Sequence, residues 1–546
     1  MRLLLLALAF LFSVPLAAQS ADDLITQGKA AYDAGDYAES GRLYAAGIEA
    51  GSRDGSDAYN AACAFALSGN TEQAFRHLEL AAEFGFTNAD LLKRDTDLDS
   101  LREDARWPGV VAEFEETAAR AQRFWDSPAI PTPYSENLSV DEKVAGLSRL
   151  WSEARYNFAN FDLVPDLDWD SLYVATLPRV RETESTLEYY RVLMAMVAQL
   201  EDGHSNIYPP RELGMQVYAR PGLRTRLVEG RVLVSEIRDP ALADQGIEIG
   251  QEVLRIDGVP VHEYADTHVR PYQSSSTEQD RDVRTYEYML LAGDVREPVE
   301  LTLRNADEST ASASMARLTR EQTEALNWSR DPFVLTMLPG NIAHVQLNTF
   351  SGGTEAADQF EARFDEIAQA DGLILDVRNN GGGNGGVGFR VLCGLTDAER
   401  IPTAGWRTRL YRPAYRAWGQ LSQSTDGNPA GSWGCSGDRH FSGPVAILTS
   451  PRTFSAAEDF AVAFDLMERG SIVGERTGGS TGQPLFFRLP GGGSGRVTSK
   501  RDSYPDGREF VGTGVIPDIA VTPTVADVRA ERDRVLEAAI AAILKG

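Results

Sequence analysis

The chain has 546 residues, 42% of them hydrophobic and 24% charged, and a formal net charge of −27. That length exceeds one ordinary core, so several domains are expected. So acidic a balance excludes nucleic acid and anionic membrane surfaces from the expected partners.

The opening residues, MRLLLLALAFLFSVPLAAQSADD, hold one arginine, a short apolar core and small residues at Ala17, Ala18 and Ser20. This is the pattern of a cleavable secretory signal over residues 1–20. The run is too short, and too broken by Pro15, to span a bilayer. No other stretch approaches spanning length. The mature chain is therefore expected to be periplasmic or secreted, without a transmembrane segment. Only three cysteines occur, Cys63, Cys393 and Cys435. No CxxC suggests a metal, and either a Cys393–Cys435 bridge or three buried thiols fits an exported protein.

Residues 21–125 are helical in pattern and rich in alanine. AYDAGDYAESGRLYAAGIEAG overlays FALSGNTEQAFRHLELAAEFG at an offset of 34 residues, with Gly35 on Gly69, Tyr44 on Leu78 and Gly47 on Ala81. This period resembles the tetratricopeptide repeat. It fits either a platform for a protein partner or a helical cap on the next domain. A proline-rich linker, 126–136, opens a helical subdomain over 126–212. There Ser139-Val-Asp-Glu142 and Ser185-Thr-Leu-Glu188 carry the capping-box signature. The second helix is expected to end at Gly203, with His204 directly after it.

Residues 213–310 change character. RVLVSEIRDPALADQGIEIGQEVLRIDG resembles a PDZ domain of the bacterial type, closed by the strand VELTLR at 299–304. The piece from His262 to Asp294 reads as an insertion. The usual glycine-rich loop that holds a peptide carboxylate is not clear in this stretch, and Pro221-Gly222-Leu223 is a candidate for it. From 311 to 524 apolar strands alternate with helices: NIAHVQLNTF, DGLILDVRNN, PVAILTSP, SIVGERTGG and GVIPDIAVTP. That alternation predicts an α/β layer around a largely buried sheet. One amphipathic helix, from about Val525 to Leu544, is expected to close the chain over 525–546.

In TSPRTFSAAEDF, Ser455 stands where a strand gives way to a helix. A helix N-terminus suits a capping serine, and equally a nucleophile whose transition state grows an oxyanion. The surroundings match neither GxSxG nor SxxK, and no HExxH occurs. Gly383-Asn-Gly-Gly-Val-Gly388 satisfies a dinucleotide fingerprint, but Arg378-Asn379-Asn380 separates strand from glycines, which a Rossmann turn does not allow. The glycine run reads better as exposed backbone N–H groups for an anion or oxyanion. A nucleophilic serine needs a base. Of six histidines, His204 alone stands just past a capped helix, in an Asp-Gly-His-Ser turn.

Taken in order, LEDGHSNIYPP, LILDVRNNGGG, TFSAAEDF, IVGERTGG and GVIPD resemble the C-terminal-processing and tricorn-core family of serine peptidases, over roughly residues 140–525. The resemblance implies a crotonase-like α/β core of the caseinolytic-protease type, beside the helical repeats and the PDZ-like domain. It implies Ser455 as nucleophile, with an oxyanion hole from the N–H groups of Ala456 and of Gly381, Gly382 or Gly383. The processing branch takes its base from a lysine in a turn like GExTxGKG, where this chain has GERTGGSTG and Ser480 in the lysine place. The tricorn-like branch takes a histidine, corresponding to His204. That branch also has a serine just before its histidine, where this chain has Gly203, and a supporting glutamate where this chain has Val511. Ser205, Glu458 and Glu509 are the candidates to orient His204. The expected activity is an exported serine endopeptidase forming an acyl-enzyme on peptides or unfolded protein, with no metal or cofactor. The alternative is an inactive protein that binds peptides or hydrophobic ligands on the same fold.

Overall fold

A computed structural model describes residues 20–421, 423–437 and 439–545. The signal-peptide reading lies outside these residues, apart from Ser20, whose hydroxyl caps the first helix. The chain divides after Ala129 into two units.

In the first unit, helices Ala21–Asp33, Tyr37–Glu49, Gly55–Leu67 and Thr71–Glu83 form two hairpins. Gly35 and Gly69 turn the chain at φ +78° and +80°, and Asp36 and Asn70 then cap the next helix. The 34-residue offset read in the sequence thus corresponds to two equivalent turn-and-cap pairs. Small residues let the helices close: a Cβ on Gly41 would fall 2.8 Å from the Phe65 ring.

The second unit begins with the helices Val140–Asn157, Trp169–Glu182 and Thr186–Ala198. Both expected caps are present, Ser139 accepting from the Glu142 N–H and Ser185 from the Glu188 N–H. The last helix stops at Ala198, short of the expected Gly203, and a turn carries the chain on to His204. An antiparallel sheet follows, in the order Leu223–Val228, Arg231–Ile237, Glu252–Ile256, Val299–Arg304, Thr310–Met315. The strand at 299–304 does not close it, because Thr310–Met315 pairs along its whole length. The piece from His262 to Asp294 is largely helical, with π-type turns at Ala265–Val269 and Val283–Met289.

The core is a six-stranded sheet ordered Ile519–Ala520, Ser471–Gly474, Val445–Thr449, Gly372–Asp376, Ile342–Leu347, Phe333–Leu338. Its strands run parallel except for the outermost pair, Phe333–Leu338 with Ile342–Leu347. The two central strands are buried at every residue, as a sheet covered on both faces requires. Helices Glu355–Ala362, Gly385–Cys393 and Ala456–Leu466 cover one face through Phe360, Val391 and Phe460. Arg534–Ile543 covers the other through Val535, Ala539 and Ile543. The single terminal helix expected over 525–544 is in fact two, Val525–Arg529 and Arg534–Ile543. The break follows from local chemistry: Glu531 sits at φ +50°, and Asp533 caps the second helix while holding Arg378.

A small sheet joins Asn206–Tyr208 to Ser494–Thr498 and Pro484–Arg488, which ties the chain after His204 to the core. A further three-stranded sheet joins Gln423–Asn428, Gly405–Tyr411 and Lys500–Ser503. Cys393 and Cys435 form a disulfide, and Cys63 is a buried free thiol.

Candidate active site

The strand Val445–Thr449 ends in a tight turn, and the helix Ala456–Leu466 begins directly after Ser455. Ser455 has φ +58° and ψ −129°, a backbone region that costs a non-glycine residue about 1–3 kcal/mol. Three hydrogen bonds impose it. The Ser455 N–H donates to Ser480 O at 3.1 Å and to the Glu458 carboxylate at 3.2 Å, and the Phe454 N–H donates to Asn380 O at 3.0 Å. Ser455 opens the helix through its backbone, its oxygen accepting from the Glu458 N–H at 2.7 Å. Its hydroxyl lies 3.0 Å from His204 Nε2, across 251 residues of sequence.

His204 is 4% exposed and stacks on Phe454, with ring centroids 4.7 Å apart and planes inclined by 16°. Burial holds its imidazolium well below the ordinary histidine range, and the nearby Arg496 and Arg284 push the same way. Its loop is held from two sides. Asp202 accepts from the His204 N–H, from the Ser205 hydroxyl and from the Thr498 hydroxyl. From the helical piece 262–294, Ser274 bonds both backbone groups of Asp202, and Ser276 accepts from the Gly203 N–H. Arg284 donates to Gly203 O and lies over the Phe454 ring. The expected insertion is therefore what cradles the histidine loop.

None of the three groups expected to orient His204 touches its ring. Glu509 pairs with Arg407 at 2.8 Å and lies 3.8 Å from Arg501. Ser205 is spent on Asp202 and Thr498. Glu458, wholly buried, accepts from the Thr477 hydroxyl and from the N–H groups of Gly479, Ser480 and Ser455. Burial pushes its carboxyl up to about 7, against the pull of those four donors. Its place is behind the site, where it fixes the backbone of both serines. The group at His204 Nδ1 is Ser480, with Oγ at 2.9 Å.

The exchange has a steric cause. A Cβ on Gly203 would fall 2.9 Å from Phe454 Cζ and 2.9 Å from both Cβ and Oγ of Ser480. A serine just before the histidine and a serine at 480 would compete for one space. Gly203→Ser is accordingly expected to cut any hydrolysis at this site by about 10–100-fold, as a misplaced base would. Adding Ser480→Gly should recover part of the loss, since the Phe454 ring still stands against the new side chain, read as kcat/KM on one peptide substrate. A double variant no better than the single one would contradict the exchange.

The glycine run passes beside the serine. A Cβ on Gly382 would lie 2.6 Å from Ser455 Cβ and 3.0 Å from the Ala456 nitrogen, and Gly382 sits at φ +94°. Only glycine fits there. The Gly382 N–H, however, donates to Asn380 Oδ1 at 2.9 Å, so it is not free to serve an oxyanion as expected. Asn380 was not legible as a site residue, yet its side chain also donates to Leu347 O and locks the run to the core. The N–H groups of Gly381 and Ala456 donate to no described residue.

An α/β core that sets a serine hydroxyl against a buried imidazole is the arrangement of serine hydrolases. Comparison with known proteins narrows the class. Residues 341–521 match peptidase family S41, and the chain carries a domain of that family, within the C-terminal-processing and tricorn-like group of serine peptidases. A chloroplastic C-terminal processing peptidase of Tetradesmus obliquus is 29% identical over 246 residues, 43% of this chain and 48% of that one. The match therefore spans about half of that relative's length. A carboxyl-terminal-processing protease of Picosynechococcus is 25% identical over 349 residues, covering 61% of this chain and 73% of that one. A putative tricorn protease homolog of Streptomyces coelicolor is 26% identical over 398 residues, 68% of this chain but 30% of its own. Among solved structures, mature CPAF shares the fold with a TM-score of 0.55 at 16% identity, over 71% of this chain and 94% of that one.

Proposed function

We propose that this chain is an exported serine endopeptidase in which Ser455 attacks the peptide carbonyl and His204 carries the proton. The observation that carries this reading is the 3.0 Å approach of Ser455 Oγ to His204 Nε2. With Nδ1–H donated to Ser480 Oγ, Nε2 is left as the acceptor that a general base requires. His204 takes the hydroxyl proton as the acyl bond forms and returns it to the leaving amine. A water then repeats the sequence to release the acyl group. The strained turn presents the hydroxyl to His204. The N–H groups of Ala456 and Gly381 are the donors for the tetrahedral oxyanion, each worth about 3 kcal/mol in such holes. Ser480 supplies a dipole rather than a charge to the imidazolium. The ligand-binding alternative has no observation in its favour, since a binder has no use for a strained serine beside an imidazole.

The depressed histidine sets the pH dependence. A base whose pKa lies below 6.5 is still neutral at that pH and loses function only as pH falls through its own lower value. The acid limb of kcat/KM should therefore lie below pH 6.5, and Arg496→Gln, which removes a neighbouring charge, should move it upward. A limb at or above the ordinary histidine value in the unaltered protein would contradict this assignment of the base.

Export rests on the sequence of residues 1–20. The mature protein should begin between about Gln19 and Asp22 when its N-terminus is read by mass spectrometry. Intact Met1 on active cytosolic protein would reverse the assignment.

A further inference from the structure

Away from Ser455, the end of the helix Val140–Asn157 and the sheet of Gly405–Tyr411, Gln423–Asn428 and Lys500–Ser503 enclose a cleft of about 860 Å³. In a chain of net charge −27, five arginines line it, Arg155, Arg407, Arg409, Arg416 and Arg501, against a single acid, Asp162. We propose that this cleft is a binding site for a carboxylate-rich segment of peptide.

Arg501 is the centre of the case. It is 4% exposed, and its Nη2 donates to Asp162 Oδ2 at 2.5 Å. Its Nε and Nη1 are buried without a hydrogen-bond partner, Glu509 standing 3.8 Å from Nε. The hydroxyl of Ser424, on the same wall, is likewise buried and unpartnered. Buried donors left unmade are costly and uncommon, and a planar carboxylate entering the cleft would accept from them. Other cations flank the entry. Arg407 pairs with Glu509, Arg155 pairs with Asp170, and Arg416 has no acidic partner among the described residues. Arg409 donates to Phe158 O and lies over the Phe161 ring.

The size and lining of the cleft select a peptide over a small anion. The cationic heads spread along a cleft far larger than one phosphate needs, between the aromatic walls Tyr156, Trp169 and Tyr411. Position gives the site a use. Lys500–Ser503 follows directly on the strand that pairs with Asn206–Tyr208, and the Ala159 N–H donates to Thr498 O at 2.9 Å. A segment held here lies beside the His204 loop, outside the reacting centre.

Binding is testable without turnover, so it stands or falls apart from the peptidase reading. Full-length Ser455→Ala protein is titrated into a fluorescein-labelled dodecapeptide of alternating Glu and Ser, and into its Gln–Ser analogue, with anisotropy as the readout. The acidic peptide should saturate, and the analogue should bind at least about tenfold more weakly. Added salt should weaken the acidic peptide alone. Arg416→Gln and Arg407→Gln, both at exposed positions, should each weaken it severalfold, and Arg501→Gln more. Equal binding of the two peptides, or binding unchanged in Arg416→Gln and Arg407→Gln, would overturn the proposal. Inorganic phosphate that competes as strongly as the acidic peptide would assign the cleft to small anions and overturn it too.

Discussion

Ser455→Ala is expected to lower peptide cleavage by roughly 10⁴–10⁶-fold, the scale on which loss of a nucleophile is felt. Folding should hardly change. The usual loss for removing a capping serine is only about 1 kcal/mol, and the backbone oxygen of residue 455 still accepts from the Glu458 N–H. The backbone supplies a second readout. At φ +58° alanine is no better placed than serine, whereas glycine relieves the strain. Ser455→Gly should therefore be as inactive as Ser455→Ala but more stable by about 1 kcal/mol in denaturant titration. An active Ser455→Ala protein would reduce the residue to a helix start.

His204→Ala should remove activity on a similar scale, and Ser455→Ala/His204→Ala should cost little more than either change alone, because nucleophile and base act as one unit. Its stability should also fall, since the ring is buried, stacked on Phe454 and bonded to both serines. The structure-neutral control is His204→Gln, which keeps most of the volume and can still bond Ser480. If His204→Gln retained cleavage near the unaltered rate while the fold held, another group would be the base.

Much of the core was legible because its signals are local. Fully apolar strands such as Leu373–Leu375 and Ala446–Leu448 can only be buried on two faces. Ser455 sits at a strand-to-helix boundary that the sequence marks, whereas the helix before His204 stops at Ala198, short of the glycine read as its end. What faced His204 Nδ1 was not legible. Ser480 is 276 residues away and reaches the ring only because Gly203 leaves room, a fact about packing that no spacing rule contains. The edge strand Phe333–Leu338 was missed although five of its six residues, FVLTML, are apolar, and the structure leaves it half-exposed at the rim of the sheet. The terminal helix was read as continuous because its apolar period survives the break that Glu531 and Asp533 impose. The serines of residues 274–276 look like loop chemistry in sequence, and only the fold brings them to the backbone of Asp202 and Gly203.

The central claim is that base and turn together activate Ser455. A fluorophosphonate probe reacts with a serine only where both do so. The protein is treated with the probe, digested, and the modified peptide read by mass spectrometry. Labelling should fall on Ser455 and disappear in His204→Ala while Ser480 stays unmodified. Folded, unaltered protein that takes no label at Ser455, or that takes it equally well without His204, would contradict the account.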